Sequence, residues 1–133
     1  MASELRVNTL KDASGNNSVA TSVVFGGTAK AWCHFKGTET EALLDSFNFS
    51  SVDDDGTGNY GMHFTSNMTN ALYAFTAGNT DDGAGSSMYA CDITENTMAT
   101  ANFDVETFYV NTGANRTDVD LTEVYMVVHG DLA

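Results

Sequence analysis

Four side chains in this sequence could ligate a soft metal: Cys33, His34, His63 and Cys91 supply two thiols and two imidazoles. A tetrahedral zinc site needs all of them to converge on one point. Cys33 and His34 are consecutive in an alternating stretch, so they point to opposite faces of a strand and share no ion without a bulge. Asp53-Asp54-Asp55-Gly56 invites a calcium reading, because calcium collects about six to eight oxygens. Its spacing fails the D-x-[DN]-x-[DN]-G pattern and the later Glu of a calcium loop. A solvated hairpin turn is the first reading there, a bound cation the alternative, and Asp81-Asp82-Gly83 is read in the same way.

Nucleophilic catalysis needs a base beside Ser or Cys and a third group to orient it. No Gly-x-Ser-x-Gly occurs, and Gly83-Ala84-Gly85-Ser86-Ser87 has the composition of a loop. Gly26-Gly27-Thr28-Ala29-Lys30 lacks the glycine that precedes the lysine of a phosphate loop. Carboxylates are plentiful enough for a glycosidase pair, but no pattern marks one. The expectation is therefore a protein that is not an enzyme and uses no cofactor or metal.

The elements that would carry these residues read as strands. Leu5, Val7 and Thr9 alternate, Ala13 to Asn17 is a turn cluster, and Ser18 to Phe25 runs back, which predicts a hairpin or extended arm. Gly26-Gly27 reads as a hinge. Ala31, Cys33 and Phe35 share one face, opposite Lys30, Trp32, His34 and Lys36. Gly37-Thr38 turns the chain. Ala42 to Ser51 reads as one strand with Phe47 and Phe49 on the same side, followed by a turn over Asp53 to Gly58. Tyr60, Met62 and Phe64 share a face, as do Ala71, Tyr73 and Phe75. Gly78 to Ser87 reads as a long loop. Met88–Thr94, Met98–Phe103 and Val105–Val110 read as short strands, and Asn111 to Thr117 as a turn. Val119, Leu121, Glu123 and Tyr125 alternate into an apolar last strand ending at His129.

Turn-separated strands at this spacing predict an all-β fold, an antiparallel β-sandwich of jelly-roll type with an N-terminal arm or hairpin. Residues 1–25 are expected to form the arm used in assembly, and residues 26–133 the sandwich domain. Asn, Thr, Gly and Ser make up 51 of the 133 residues, and proline is absent. Thr favours strands, and Asn and Gly favour tight turns. Cys33 and Cys91 are read as small buried thiols, with a bridge between them as the alternative. Trp32, the only tryptophan, is read as core between the sheets, as part of a subunit interface, or as a stacking platform.

The formal charge is −13, from five Lys and Arg against 18 Asp and Glu. Binding to nucleic acid rests on cationic side chains that neutralise phosphate, so this balance argues against nucleic-acid and anionic-membrane partners. The opening MASELRVNTLKD has no apolar signal core, and no run of ~18 apolar residues exists. No membrane insertion and no signal-peptide export are expected.

Several segments resemble a module of virion proteins from marine tailed phages, of the cyanophage type. They are the opening Leu5 to Asn17, the block Ala29-Lys30-Ala31-Trp32 with Phe35, Gly37 and Thr38, the run Ser46 to Val52 with Gly56 to Tyr60, and the end His129-Gly130-Asp131-Leu132-Ala133. Cys33-His34 and Met62-His63 depart from the family's usual residues. The resemblance implies a structural protein of the tail fibre or host-attachment apparatus, made in the host cytoplasm and carried on the exterior of the virion. It implies a homotrimer whose partners are other copies, other virion proteins and a host surface receptor. A decoration protein of the capsid is the alternative. Leu5, Val7, Leu10, Val23, Phe25 and Trp32 are the residues expected at the assembly interfaces.

Overall fold

Alternating burial decides which strands belong to the body of the protein. The computed structural model describes residues 3–80 and 87–133. Along the chain lie β1 (Thr9–Lys11), β2 (Ser18–Ala20), α1 (Thr21–Gly27), β3 (Ala31–Lys36), β4 (Ala42–Phe47) and β5 (Phe49–Gly56). They are followed by β6 (Asn59–Phe64), β7 (Ala74–Asn79), β8 (Met88–Ile93), β9 (Asn102–Val110), β10 (Arg116–Asp118) and β11 (Val124–His129). On β3, Ala31, Cys33 and Phe35 are buried, and on β6, Tyr60, Met62 and Phe64 are buried, as their period of two predicts.

The protein is an all-β antiparallel sandwich. One sheet has the order β4-β3-β11-β7. The other has β9 at its centre, with β8 along one edge and β6 then β10 end to end along the opposite edge. β5 lies beyond β6. The separate hairpin β1-β2 precedes both sheets, with Leu10 opposite Val19.

The core lies between the sheets. Phe103 of β9 is ringed by Phe49, Phe64, Tyr73 and Phe75 at centroid distances of 5.5 to 6.0 Å. Toward the opposite end, Phe35 of one sheet meets Tyr60 of the other edge-on at 5.3 Å. The Tyr60 hydroxyl donates to Asp120 Oδ1 at 2.8 Å and lies 3.1 Å from the Gly37 carbonyl. Asp120 also accepts the Gly58 amide at 2.7 Å. Gly37 leaves room for the Tyr60 hydroxyl, which a Cβ there would strike.

Several sequence expectations are corrected. Val23 and Phe25 lie in α1 rather than in a returning strand, and α1 runs through the Gly26-Gly27 pair expected as a hinge. Asn48 has φ +60°, which splits Ala42–Ser51 into β4 and β5 in different sheets. Phe47 therefore faces solvent while Phe49 is buried, although alternation put them together. Asp53 to Gly56 continue β5, so the reversal is confined to Thr57-Gly58. Asn102 to Val110 is one strand, because β6, β8 and β10 all pair with it, and Met98 lies before it. The alternation from Val119 changes phase before β11: Leu121, Val124, Met126 and Val128 are buried, whereas Tyr125 faces out. Gly78 and Asn79, expected in a loop from Gly78 to Ser87, belong to β7, and residues 81–86, with their Asp81-Asp82-Gly83 group, lie outside the described residues.

Cys33 and Cys91 are free thiols, so the alternative of a bridge is not realised. Burial is the first cause that pushes both up to about 12 from the usual 9.0. Burial likewise pushes Tyr73 up to about 12 and raises Tyr60 further, with the hydrogen bond to Asp120 adding to it. Each folded-state value lies above the unfolded one, so each neutral group holds more protons in the folded chain. Their contribution is complete below pH 9.0 and is lost as pH rises toward 12. Circular dichroism against pH is expected to show unfolding in that alkaline window, with tyrosinate absorbance appearing in step. Tyr60→Phe is expected to cost about 1–3 kcal/mol in urea unfolding, because it strands partners inside the sandwich.

Candidate assembly surfaces

The hairpin and α1 place the arm outside the core. No residue of α1 is buried, and Leu5 and Phe25 keep 81% and 74% of their surface exposed. Leu5, Val7, Leu10, Val24 and Phe25 converge on a groove of about 770 Å³ between the N-terminal segment and α1. The sequence of α1, TSVVFGG, is a poor helix former: two β-branched valines, two glycines, and an Ala20 N-cap that makes no side-chain bond. Each glycine costs about 0.8–1.0 kcal/mol relative to alanine. A seven-residue helix of this kind needs tertiary support.

Lys30 supplies the support at the arm's root. It is buried, and its Nζ donates to the Phe25 carbonyl, to the Thr28 carbonyl at 2.8 Å and to Thr28 Oγ1 at 3.1 Å. A cation on the last carbonyls of a helix also complements its dipole. The Lys30 amide donates to the Val128 carbonyl at 2.8 Å, which joins the root to the four-stranded sheet.

A second apolar surface lies on the outer face of that sheet. The register sets Phe47, Trp32, Val127 and Thr76 in one row across four strands. The next row is Asp45, His34, Tyr125 and Gly78. Between them runs a shallow groove of about 470 Å³. Trp32 is 38% exposed on this face and is not core between the sheets. His34 stacks on Tyr125 at 4.5 Å, with its Nε2 3.8 Å from Glu123 Oε1. The Tyr125 hydroxyl donates to Glu123 Oε2 at 2.7 Å, and that bond raises the phenol's pKa. On the edge strand β4, a bulge leaves Leu44 without a partner on β3 and turns it toward solvent.

The outer face of the five-stranded sheet has the opposite chemistry. Asp53, Gly61 and Asp104 form one row, and Asp92 lies opposite Glu106. His63 Nε2 meets Asp53 Oδ2 at 2.9 Å. Arg116 pairs with Glu106 and Asp118 and lies over the Phe108 ring at 4.1 Å. Among the described residues, no three His, Cys, Asp or Glu side chains are grouped so as to hold a metal ion. No helix among them is long and apolar enough to cross a membrane.

Of the residues expected at interfaces, Leu5, Val7, Leu10 and Phe25 share the arm groove, Val23 is exposed on α1 outside its lining, and Trp32 stands on the separate sheet face. Val24, Phe47, Tyr125 and Val127 complete these surfaces; Tyr125 is read from the sequence only as core or interface, and the other three are not singled out. Alternation within β11 carried the signal for Tyr125 and Val127. Nothing local marked Phe47, whose side was set by Asn48. Comparison with protein-family models, with curated proteins and with solved structures finds no match in any of the three.

Exposed arm side chains add little to the stability of an isolated chain. Leu5→Ser and Phe25→Ser are expected to change unfolding free energy by no more than about 0.5 kcal/mol, whereas Phe103→Ala costs about 3–5 kcal/mol. Lys30→Met is expected to leave the sandwich folded but to speed protease cleavage between residues 20 and 30, read by mass spectrometry of limited digests.

Proposed function

We propose that this protein is a non-catalytic structural component of a tailed-phage virion, carried on the tail-fibre or host-attachment apparatus. It assembles as a homo-oligomer, with a trimer as the expected state, and docks to other virion subunits through its N-terminal arm. The observation that carries this reading is the arm itself. Its apolar side chains lie on a short helix without an N-terminal side-chain cap and on a hairpin, and none of them is fully buried. In a monomer Leu5, Val23 and Phe25 stay largely in water, while a chain built into a larger particle gains an attachment device.

The resemblance of Ala29-Lys30-Ala31-Trp32 and the associated segments to phage virion modules supports the same role. The all-β sandwich supports it too, since small β modules are the usual bricks of such fibres. The acidic outer face and the charge of −13 suit a surface that repels its like until salt screens it.

Mass spectrometry of purified particles tests the proposal. The wild-type chain is expected to co-purify with virions, and a chain carrying Leu5→Ser with Phe25→Ser is expected to be missing from them while remaining folded in the lysate. Absence of the wild-type chain from particles would overturn the virion role. Equal incorporation of the double variant would remove the arm as its anchor.

A further inference from the structure

We infer that the outer face of the four-stranded sheet is the landing site for the arm of a second copy of this chain. This inference rests on the assembly role proposed above and names the surface on which the arm docks. Among the described residues, two apolar surfaces stand without a partner. One is the arm groove around Leu5, Val24 and Phe25, and the other is the row Phe47, Trp32, Val127 and Thr76. The two linings have no residue in common. The chain's own arm is folded on itself, with its root held by Lys30, and Trp32 remains partly exposed.

Charge selects the occupant. Residues 1–28 carry Glu4, Arg6, Lys11 and Asp12, which cancel, so the whole charge of −13 lies on residues 29–133. Apposing two bodies brings like charges together, whereas laying an arm on a body does not. Size points the same way. Strand spacing gives the two rows a footprint of roughly 14 Å by 7 Å, on the order of 200 Å² with side-chain margins. A stable interface needs about 800 Å² from each partner, so two such faces pressed together fall short.

Two different surfaces that complement each other make a head-to-tail contact, which closes into a ring when the rotation permits. Each copy then gives its arm to one neighbour and receives an arm from the other. Such a ring is compatible with a trimer.

Trp32 is the only tryptophan and stands in the proposed contact, so its emission reports directly on coverage of the face. The test follows the full chain by light scattering and by tryptophan emission during dilution in seawater-like salt. The expected result is an oligomer whose dissociation and a red shift of Trp32 emission share one midpoint. Leu5→Ser with Phe25→Ser, and separately Thr76→Lys, are each expected to weaken association by about tenfold or more. An oligomer that survives Thr76→Lys, or whose dilution leaves the emission unchanged, would overturn this docking site while leaving self-assembly intact. An oligomer that survives the arm substitutions but not Thr76→Lys would make the occupant a second sheet face and would also overturn it. A monomer throughout would remove both the docking site and the homo-oligomer, leaving particle incorporation to be judged by the virion experiment.

Discussion

The Phe103 ring holds the two sheets to one another. Phe49 and Phe64 approach it from its own sheet, and Tyr73 and Phe75 reach it from the other side of the sandwich. Aromatic rings of this size bury about 150–250 Å² each and prefer the tilted and edge-on arrangements seen here. With this cluster in place, β9 sits centrally and takes β6, β8 and β10 as partners. The position of β6 sets that of Tyr60, whose hydroxyl ties the turn at Gly37 to Asp120 and through it to Gly58. One end of the sandwich is thus closed by rings and the other by a buried polar group with satisfied partners, which is the condition for burying it without penalty.

That interior leaves two outer faces of different character. The five-stranded sheet presents carboxylates, with His63 and Arg116 set among them. The four-stranded sheet presents Trp32, Phe47, Tyr125 and Val127. The asymmetry cannot come from net charge, which is a property of the whole chain. It comes from the side chains that each strand turns away from the core. A strand pair of one sheet has its second face free to evolve toward solvent or toward a partner, because the first face alone supplies the packing.

The arm belongs to a different energetic regime from the sandwich. Its helix has no capping side chain at its N-terminus and carries two glycines, and its exposed residues contribute little to folding. At the junction, Thr28 and the buried Lys30 hold its last carbonyls, and the Lys30 amide joins them to the body. Weak local structure with a firm root is a useful state for a segment that gains its contacts on assembly, since little must be undone before it docks.

The sandwich was largely legible from residue order alone. Ala31, Cys33 and Phe35, and then Tyr60, Met62 and Phe64, alternate so regularly that their buried face could be named without coordinates. The turn cluster from Ala13 to Asn17 likewise pointed to a hairpin or extended arm, although the Leu10–Val19 register came only from the folded chain. Alternation reports a face only while the backbone stays extended, and it fails where the chain leaves that conformation. Asn48 adopts φ +60° and sends Phe47 and Phe49 to different environments. Thr21 to Gly27 coil into a helix that their propensities disfavour. Long-range pairing joined two apparent strands into β9, because three partners compete for one backbone. The surfaces divide in the same way. The apolar arm residues could be chosen by type, but their groove, and the meeting of Trp32 with Phe47, Val127 and Thr76 across four strands, required the folded chain. Residues far apart in sequence become neighbours only through sheet register, and local pattern carries no information about which strands will pair.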